Sequence, residues 1–404
     1  MSSAALTAPK PTTSATSAAE IARAPRADWV IVALTALLSA FGVVMILSAS
    51  SLEADARYGN ALHFAIRQVS GIAGGVILAG ATWWVPSKWF RNLGFPALIA
   101  AVFGLALVLS PLGNEAKGAT RWISLGPVNL QPSEFAKLAW ILALGEHLGR
   151  NEGRLRRDAV AVGGPILLGV SLLLGFIFAQ KDFGTTVILL GLTGVMLVTA
   201  GLQWRWVGAL GGVALLGLVM MIIVEPYRIQ RLTSFVDPFR DPDGAGYQVV
   251  QGWIALATGG VSGTGLASGV AQRGFLPEAH TDFILAVIGE EFGAVGWAAT
   301  LVVLLAILWR AIRIARNASD LHGMLVAIGI VAMFSAQAII NVGVVGGLLP
   351  AKGLVLPFLS YGSSAALVNV WAIGVLLRIS AELPMIPAPV RPTSTRVSRA
   401  RTRP

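Results

Sequence analysis

Residues 275–293 read FLPEAHTDFILAVIGEEFG, and this stretch decides how the chain is understood. A polar loop enters an apolar helix here, and the apolar run continues to about residue 312, beyond the ~20 residues that cross a bilayer. Glu278, Asp282, Glu290 and Glu291 crowd around the junction in a chain where acids are scarce. A carboxylate close to hydrocarbon loses hydration that little else replaces, so such groups mark functional sites. The stretch therefore points to a membrane-spanning bundle with a reactive or ion-binding centre near one face.

The remainder of the chain agrees. Its 404 residues are 55% hydrophobic and only 12% charged, with a mean hydropathy of +0.74, which is too poor in charge for a soluble globule. Apolar runs near spanning length lie at 29–50, 64–85, 93–112, 132–148, 159–179, 185–201, 206–224, 283–312, 321–346 and 356–379. The expected fold is all-α, a polytopic membrane protein of about ten transmembrane helices. Residues 1–27 are rich in Ser, Ala and Thr and lack a signal-peptide core, and 382–404 are rich in Pro, Ser and Arg. Both are read as disordered cytoplasmic tails around a membrane domain, 28–381. Having no cysteine, the chain has no disulfide, thiolate metal site or Cys nucleophile.

A net charge of +10 would suit a nucleic-acid partner, but its placement argues for topology instead. Most of the 30 lysines and arginines fall in the two tails and in the loops around Lys88, Arg91, Arg150, Arg154, Arg156, Arg157, Arg205, Arg310, Arg313 and Arg316. That excess marks the cytoplasmic side. The outer side then holds the longest loop, 226–282, which is too long for a plain connector. Within it GYQVVQGWIALATGG is apolar yet too short to span, as a re-entrant or interfacial helix would be. The GGVSGTGLASG that follows lacks the setting and the Gly-Lys-Ser/Thr ending of a phosphate loop, so no nucleotide site is read there.

Polar constellations collect on that outer side. Lys117 and Arg121 precede the fourth span, and Arg suits phosphate through paired, charge-assisted hydrogen bonds. Pro132 and Ser133 begin that span, with Gln131 as its expected cap, and Glu134 and Lys137 lie three apart on one face inside it. Mutual neutralisation that braces the bundle is preferred there to a catalytic role. Lys181 and Asp182 form an outer turn that by itself reads as a solvated hairpin tip, while its place on the same face as the other polar clusters argues that it lines a common cavity. Arg228 and Arg231, three apart, suit a pyrophosphate or, equally, anionic headgroups of membrane lipids. The aspartates of DPFRDPDG permit a metal, but without the spacing of a calcium loop. Asp282 stands where the polar loop meets the helix, so it can serve as a general base, as a helix cap shared with Thr281, or as both. Glu290 and Glu291 cannot face the same way, and one is expected to meet a buried cation. Lys352, in a Gly-rich turn between prolines, is placed to contact an anionic substrate, whereas the small residues of SYGSS suit packing.

Four long motifs carry a resemblance: GATRWISLGPVNLQPSEFAKLA, YRIQRLTSFVDPFRDPDGAGYQ, LPEAHTDFILAVIGEEFGAVG and NVGVVGGLLPAKGLVLPFLSYGSS. In that order they resemble the SEDS family (shape, elongation, division and sporulation) across roughly residues 29–380, and its division members more than its elongation members. PAKG and SYGSS stand where PTKG and SYGGS are commoner. QKDFG stands where a proline often precedes the aspartate. The resemblance implies ten helices and a peptidoglycan glycosyltransferase that polymerises lipid II at the outer face of the bacterial inner membrane, at the division septum. It implies that Asp282 is catalytic and that Lys117, Arg121, Arg231 and Lys352 bind substrate, while Glu134, Lys137, Asp182, Arg228, Glu290 and Glu291 are read from their own placement as polar residues that support them. A class B penicillin-binding protein and other divisome membrane proteins are the implied partners, and a divalent ion, Mg or Mn, is compatible with the leaving pyrophosphate.

Two other classes remain open. A lipid II flippase needs a polar path through the whole bilayer, whereas apart from Glu134 and Lys137 the polar residues keep to the outer half. A non-catalytic scaffold needs no carboxylate beside basic groups. A transpeptidase is disfavoured, because SEFAK has the wrong spacing for a Ser-x-x-Lys nucleophile.

Overall fold

The computed structural model describes residues 27–116, 119–125, 128–224, 235, 237–240, 244, 246–270, 274–350 and 353–382. Helices occupy each apolar run: α1 Trp29–Tyr58, α2 His63–Trp84, α3 Gly94–Val108, α4 Pro132–Arg150, α5 Ala159–Ala179, α6 Phe183–Thr199 and α7 Trp204–Ile223. After the long loop's own helix, α8 Tyr247–Gly259, come α9 Ile284–Arg316, α10 Leu321–Val345 and α11 Ser363–Ala381. Among the described residues, seven helices are long and apolar enough to cross a membrane, namely α1, α2, α5, α7, α9, α10 and α11. Helices α3 and α6 are apolar but shorter, and α4 carries Glu134, Lys137 and Glu146.

Aspartates start several of these helices by accepting backbone N–H groups that have no partner within the helix. Asp28 caps α1, Asp158 α5, Asp182 α6 and Asp320 α10. Asp28 also ties one end of the bundle together. Arg310, near the end of α9, grips its carboxylate at 2.6 Å, and its N–H donates to Ser380 Oγ at the end of α11.

Close packing depends on small residues, as between helices in lipid. A Cβ on Gly71 of α2 would lie 2.3 Å from the Ser363 carbonyl oxygen, and one on Gly75 would lie 2.6 Å from that of Leu367. Helix α4 is the axis of the fold, buried at almost every position from Pro132 to Leu148.

Local features of the structure go beyond or against the sequence reading. Between α3 and α4 the chain forms a small antiparallel sheet, β1 Gly113–Ala116, β2 Ala119–Leu125 and β3 Val128–Leu130, which the all-α expectation did not include. The last apolar run begins as irregular chain: residues 353–362 fold into the bundle, burying Leu354, Leu356, Phe358 and Leu359, before α11 starts at Ser363. Helix α9 breaks at Gly293, where φ is 66° and ψ is −167°. Gln131 makes no cap bond to α4, because its side chain donates to Ser133 Oγ instead. Asp182 is no solvated tip, being only 4% exposed.

The break in α9 has a clear cause. The glycine-rich segment after α8 lies against it and takes over its backbone bonds. Thr264 and Gly265 N–H donate to the carbonyls of Glu290 and Glu291, each at 2.9 Å, and Ala294 N–H donates to the Gly260 carbonyl at 2.9 Å. A Cβ on Gly259 would sit 1.9 Å from the Gly289 oxygen, so only glycine allows this approach. The long loop thus reaches back into the bundle.

Candidate functional site

The starts of α4, α6, α9 and α11 gather at the end of the bundle opposite Asp28. Gln131 N–H donates to Ser364 Oγ at 3.0 Å. Ser133 Oγ donates to Asp182 Oδ2 at 3.4 Å. Asn341 Nδ2, near the end of α10, donates to the carbonyls of both Asp282 and Leu354 at 3.1 Å. These bonds hold four helix starts and the 353–362 segment as one assembly.

Asp282 sits in it, half-buried, on a tight turn that leads into α9. Glu278 adopts the left-handed conformation there, with φ 55°, a strain that persists only where surroundings impose it. The Thr281 N–H donates to the Glu278 carbonyl at 3.1 Å, and the Thr281 hydroxyl bonds the Glu278 carboxylate at 3.1 Å. From the other side, Tyr361 N–H donates to the His280 carbonyl at 2.8 Å. Phe283 is wholly buried. It packs on Gly252 of α8, where a Cβ would be 2.7 Å from the ring. The carboxylate of Asp282 is thus carried on a turn pinned on three sides, which suits a group that must meet a reacting atom. Thr281 and Asp282 are not the cap residue of α9: that position is Phe283, which makes no side-chain cap bond.

Gly353, with φ 68°, brings the next turn up to this carboxylate, so that a Cβ there would stand 3.7 Å from Asp282 Oδ2. Beside it Leu354 packs on Gly184 at the start of α6, where a Cβ would lie 2.8 Å from the leucine. The short run Gly353–Leu354 therefore lies between the Asp282 turn and the α6 start that Asp182 caps. Lys352, the preceding residue, lies outside the described residues, as do Lys117, Arg228 and Arg231.

Arg121, on β2, is the described member of the expected cationic set. Its Nη2 donates to the Lys181 carbonyl at 2.6 Å and its Nε to that of Gln180 at 3.3 Å. Gln180 in turn donates to the Leu105 carbonyl at 3.1 Å. Arg121 thus straps the sheet to the turn that Asp182 ends. Asp182 accepts from Thr185 N–H at 3.2 Å and from Thr185 Oγ1 at 2.8 Å, so it holds the start of α6 from inside. Replacing Arg121 with Ala removes two charge-assisted bonds, worth about 1–3 kcal/mol each at most. The expected outcome is a lower melting temperature, measured by thermal unfolding in detergent, and Arg121→Lys should recover part of it.

Glu134 and Lys137 form a buried pair, Nζ to Oε2 2.8 Å, with the lysine side chain at 0% exposure. This is the brace expected of them. Glu290 and Glu291 face different ways, as their adjacency requires. Glu290 Oε1 accepts from Val270 N–H at 2.7 Å, and Glu291 Oε1 accepts from Ser48 Oγ of α1 at 2.5 Å. Their partners thus include the glycine-rich segment and α1.

His280 and Tyr361 carry more than the sequence reading gave them. The His280 ring lies 4.6 Å from that of Phe64 and 5.5 Å from that of Tyr361, with Nδ1 3.8 Å from Glu53 in the C-terminal part of α1. Burial pushes the Tyr361 phenol above its usual range, so it stays neutral. The adjacency of His280 to Asp282 was the available signal. The partners Phe64 and Glu53 are distant in sequence and gave none. Among the described residues no group of three or more His, Asp or Glu side chains is placed to hold a metal ion. Of the DPFRDPDG aspartates only Asp237 lies among the described residues.

Known proteins resemble the chain over most of its length. The profile of the FtsW/RodA/SpoVE family, described as cell cycle protein, matches residues 28–384. The "Probable peptidoglycan glycosyltransferase FtsW" of Geobacter sp. (strain M18) is 38% identical over 88% of this chain and 97% of that one. Stage V sporulation protein E of Bacillus subtilis is 38% identical over 87% and 96%. Among solved structures, a chain of a peptidoglycan synthase complex, studied for its coordination of polymerization and crosslinking, superposes with a TM-score of 0.71 at 29% identity, covering 88% of this chain and 97% of that one. The rod shape determining protein RodA of Thermus thermophilus does so with a TM-score of 0.65 at 28% identity, covering 88% and 96%.

Proposed function

Because the chain belongs to the FtsW/RodA/SpoVE family of cell cycle proteins, we propose that it is a peptidoglycan glycosyltransferase that polymerises lipid II at the outer face of the bacterial inner membrane. The observation that carries the mechanism is the half-buried carboxylate of Asp282, held on a pinned turn against the Gly353 turn that follows Lys352. In this reading Asp282 takes the proton from the 4-hydroxyl of the acceptor sugar. That oxygen attacks the anomeric carbon of the donor, the bond to the undecaprenyl pyrophosphate breaks, and the pyrophosphate leaves with the bonding pair. Attack from the opposite face inverts an α-linked donor to a β-linked glycan.

Cations are needed where the pyrophosphate leaves. Lys352 follows from its chain adjacency to Gly353, and Lys117 and Arg231 are assigned to the same task from sequence, with Arg228 in support. Arg121 acts chiefly by holding the sheet against the Asp182 turn. The likeness to curated FtsW proteins favours a role in division at the septum over elongation. A class B penicillin-binding protein that crosslinks the new strands is the partner, in line with the synthase complex that the fold matches. Other divisome membrane proteins would assemble around the pair. The carboxylate is the reason to rank polymerase above scaffold. The ion pair Glu134–Lys137, sealed from solvent, offers no polar path of the kind a flippase needs.

The orientation carries its own test. Ten crossings would put both termini in the cytoplasm and the 226–282 loop outside, with tails at 1–27 and 382–404. The chain has no cysteine, so Ser262→Cys and Ser398→Cys each give a unique target for a membrane-impermeant maleimide. In intact spheroplasts position 262 should label and position 398 should not. The reverse pattern would overturn the orientation.

A further inference from the structure

At the end of the bundle that charge asymmetry makes cytoplasmic, a polar corner opens between the α4–α5 connection and the α6–α7 turn. A cavity of about 410 Å³ is lined there by Arg156, Gly201, Gln203 and Trp204, among others. Gly201 has φ 90°, and a Cβ on it would lie 2.7 Å from Arg156 Nε, so glycine makes room for the guanidinium. Gln203 Nε2 fixes the arginine's backbone by donating to its carbonyl at 3.0 Å. Leu155 is buried and anchors the segment, while Arg154, Arg156, Arg157 and, next to Trp204 in the chain, Arg205 are all exposed, with the Arg205 guanidinium 5.7 Å over the Trp206 ring. Among the described residues no carboxylate pairs with Arg156, Arg157 or Arg205, and Asp158 is used as the cap of α5. Trp204, 77% exposed, stands beside them as residues at a membrane interface do.

The corner does not end there. Val198 lines both it and a groove of about 570 Å³ that climbs between α6 and α7 toward the outer side. That groove is apolar, and at Gly191, Gly194 and Gly211 nothing lies within 4 Å of where a Cβ would be. A strip of unpaired arginines at the interface, opening into an apolar channel along the hydrocarbon, matches the two halves of one ligand. We propose that an anionic phospholipid of the inner leaflet binds here, its phosphate on Arg156 and Arg205 beside Trp204 and one acyl chain in the α6–α7 groove. Charge complementarity selects the headgroup, and the continuity of corner and groove selects a lipid over a free phosphate. The site lies at the opposite end of the bundle from Asp282 and does not depend on the proposed catalysis.

Native mass spectrometry of the purified full chain in detergent, with tetraoleoyl cardiolipin, dioleoylphosphatidylglycerol or zwitterionic dioleoylphosphatidylethanolamine added, tests this. The wild-type chain should retain the two anionic lipids and not the zwitterionic one. Arg156→Gln with Arg205→Gln should weaken that retention about tenfold or more. Arg156→Lys with Arg205→Lys should keep most of it, which separates lost charge from lost fold. Gly194→Leu, which fills the groove, should weaken retention with the arginines intact. As a control for general basicity, Arg313→Gln with Arg316→Gln should change little. Equal retention by the Arg156/Arg205 glutamine variant and the wild type, or equal loss in the Arg313/Arg316 control, would overturn the proposal.

Discussion

Asp282→Asn should insert normally, bind its partner and make almost no glycan. The substitution keeps the size of the side chain, while the turn's bonds to Glu278, Asn341 and Tyr361 go through backbone atoms or other side chains. It removes the negative charge and with it the ability to take a proton. General-base assistance is commonly worth ~10²–10⁴-fold, so lipid II polymerisation should fall by about that factor. Because Asp282 is half-buried and Phe283 behind it is fully packed, thermal stability should change little. The rate of glycan formation on gels, read beside the melting temperature, checks both halves. Near wild-type polymerisation would mean that Asp282 only shapes the turn. Glu290 and Glu291 would then have to supply the base, although both are held on other partners and are 1% exposed.

The second large effect concerns stability. Lys137 lies fully buried on the axis helix, paired with Glu134. Two opposite charges in a low-dielectric interior tolerate burial because each offsets the other's lost hydration. Removing one leaves the other uncompensated, at a typical cost of about 3–5 kcal/mol. Lys137→Ala should therefore lower the melting temperature sharply and reduce the amount of folded protein in the membrane. Replacing both, Glu134→Leu with Lys137→Met, should cost clearly less than either single change, since nothing charged stays stranded. Melting curves of the two single variants and the double variant form the cycle that checks this. Equal destabilisation by the double and by Lys137→Ala would show that the lysine works through packing alone.

How much of this was legible from residues alone differs by feature. The helices were, because spanning length and apolar content act locally and each expected run carries a helix. The Glu134–Lys137 pair was as well, since three-residue spacing on a helix fixes contact without knowledge of the fold. Asp282 could be singled out because a carboxylate at the mouth of an apolar run is costly wherever it sits. The break in α9 could not. Glycine is common in apolar helices, and what breaks the helix at Gly293 is a segment some thirty residues earlier that takes over its carbonyls. The partners that bury Asp182 were hidden for a similar reason: one of them is Ser133 of α4, nearly fifty residues away in sequence. The bonds of Arg121 to Gln180 and Lys181 were hidden too, because backbone carbonyls have no sequence signature. The irregular start of the last run escaped notice since buried loop and buried helix share one apolar composition.

If the chain itself forms glycosidic bonds from lipid II, purified protein must do so. The direct measurement is to reconstitute the purified chain in liposomes with fluorescent lipid II, together with a class B penicillin-binding protein whose transpeptidase serine has been replaced, and to separate the products by length. The account predicts a ladder of β-linked glycan strands with the wild-type chain and none with Asp282→Asn. Lipid II that crosses the bilayer but never lengthens, with wild type and variant alike, would contradict it.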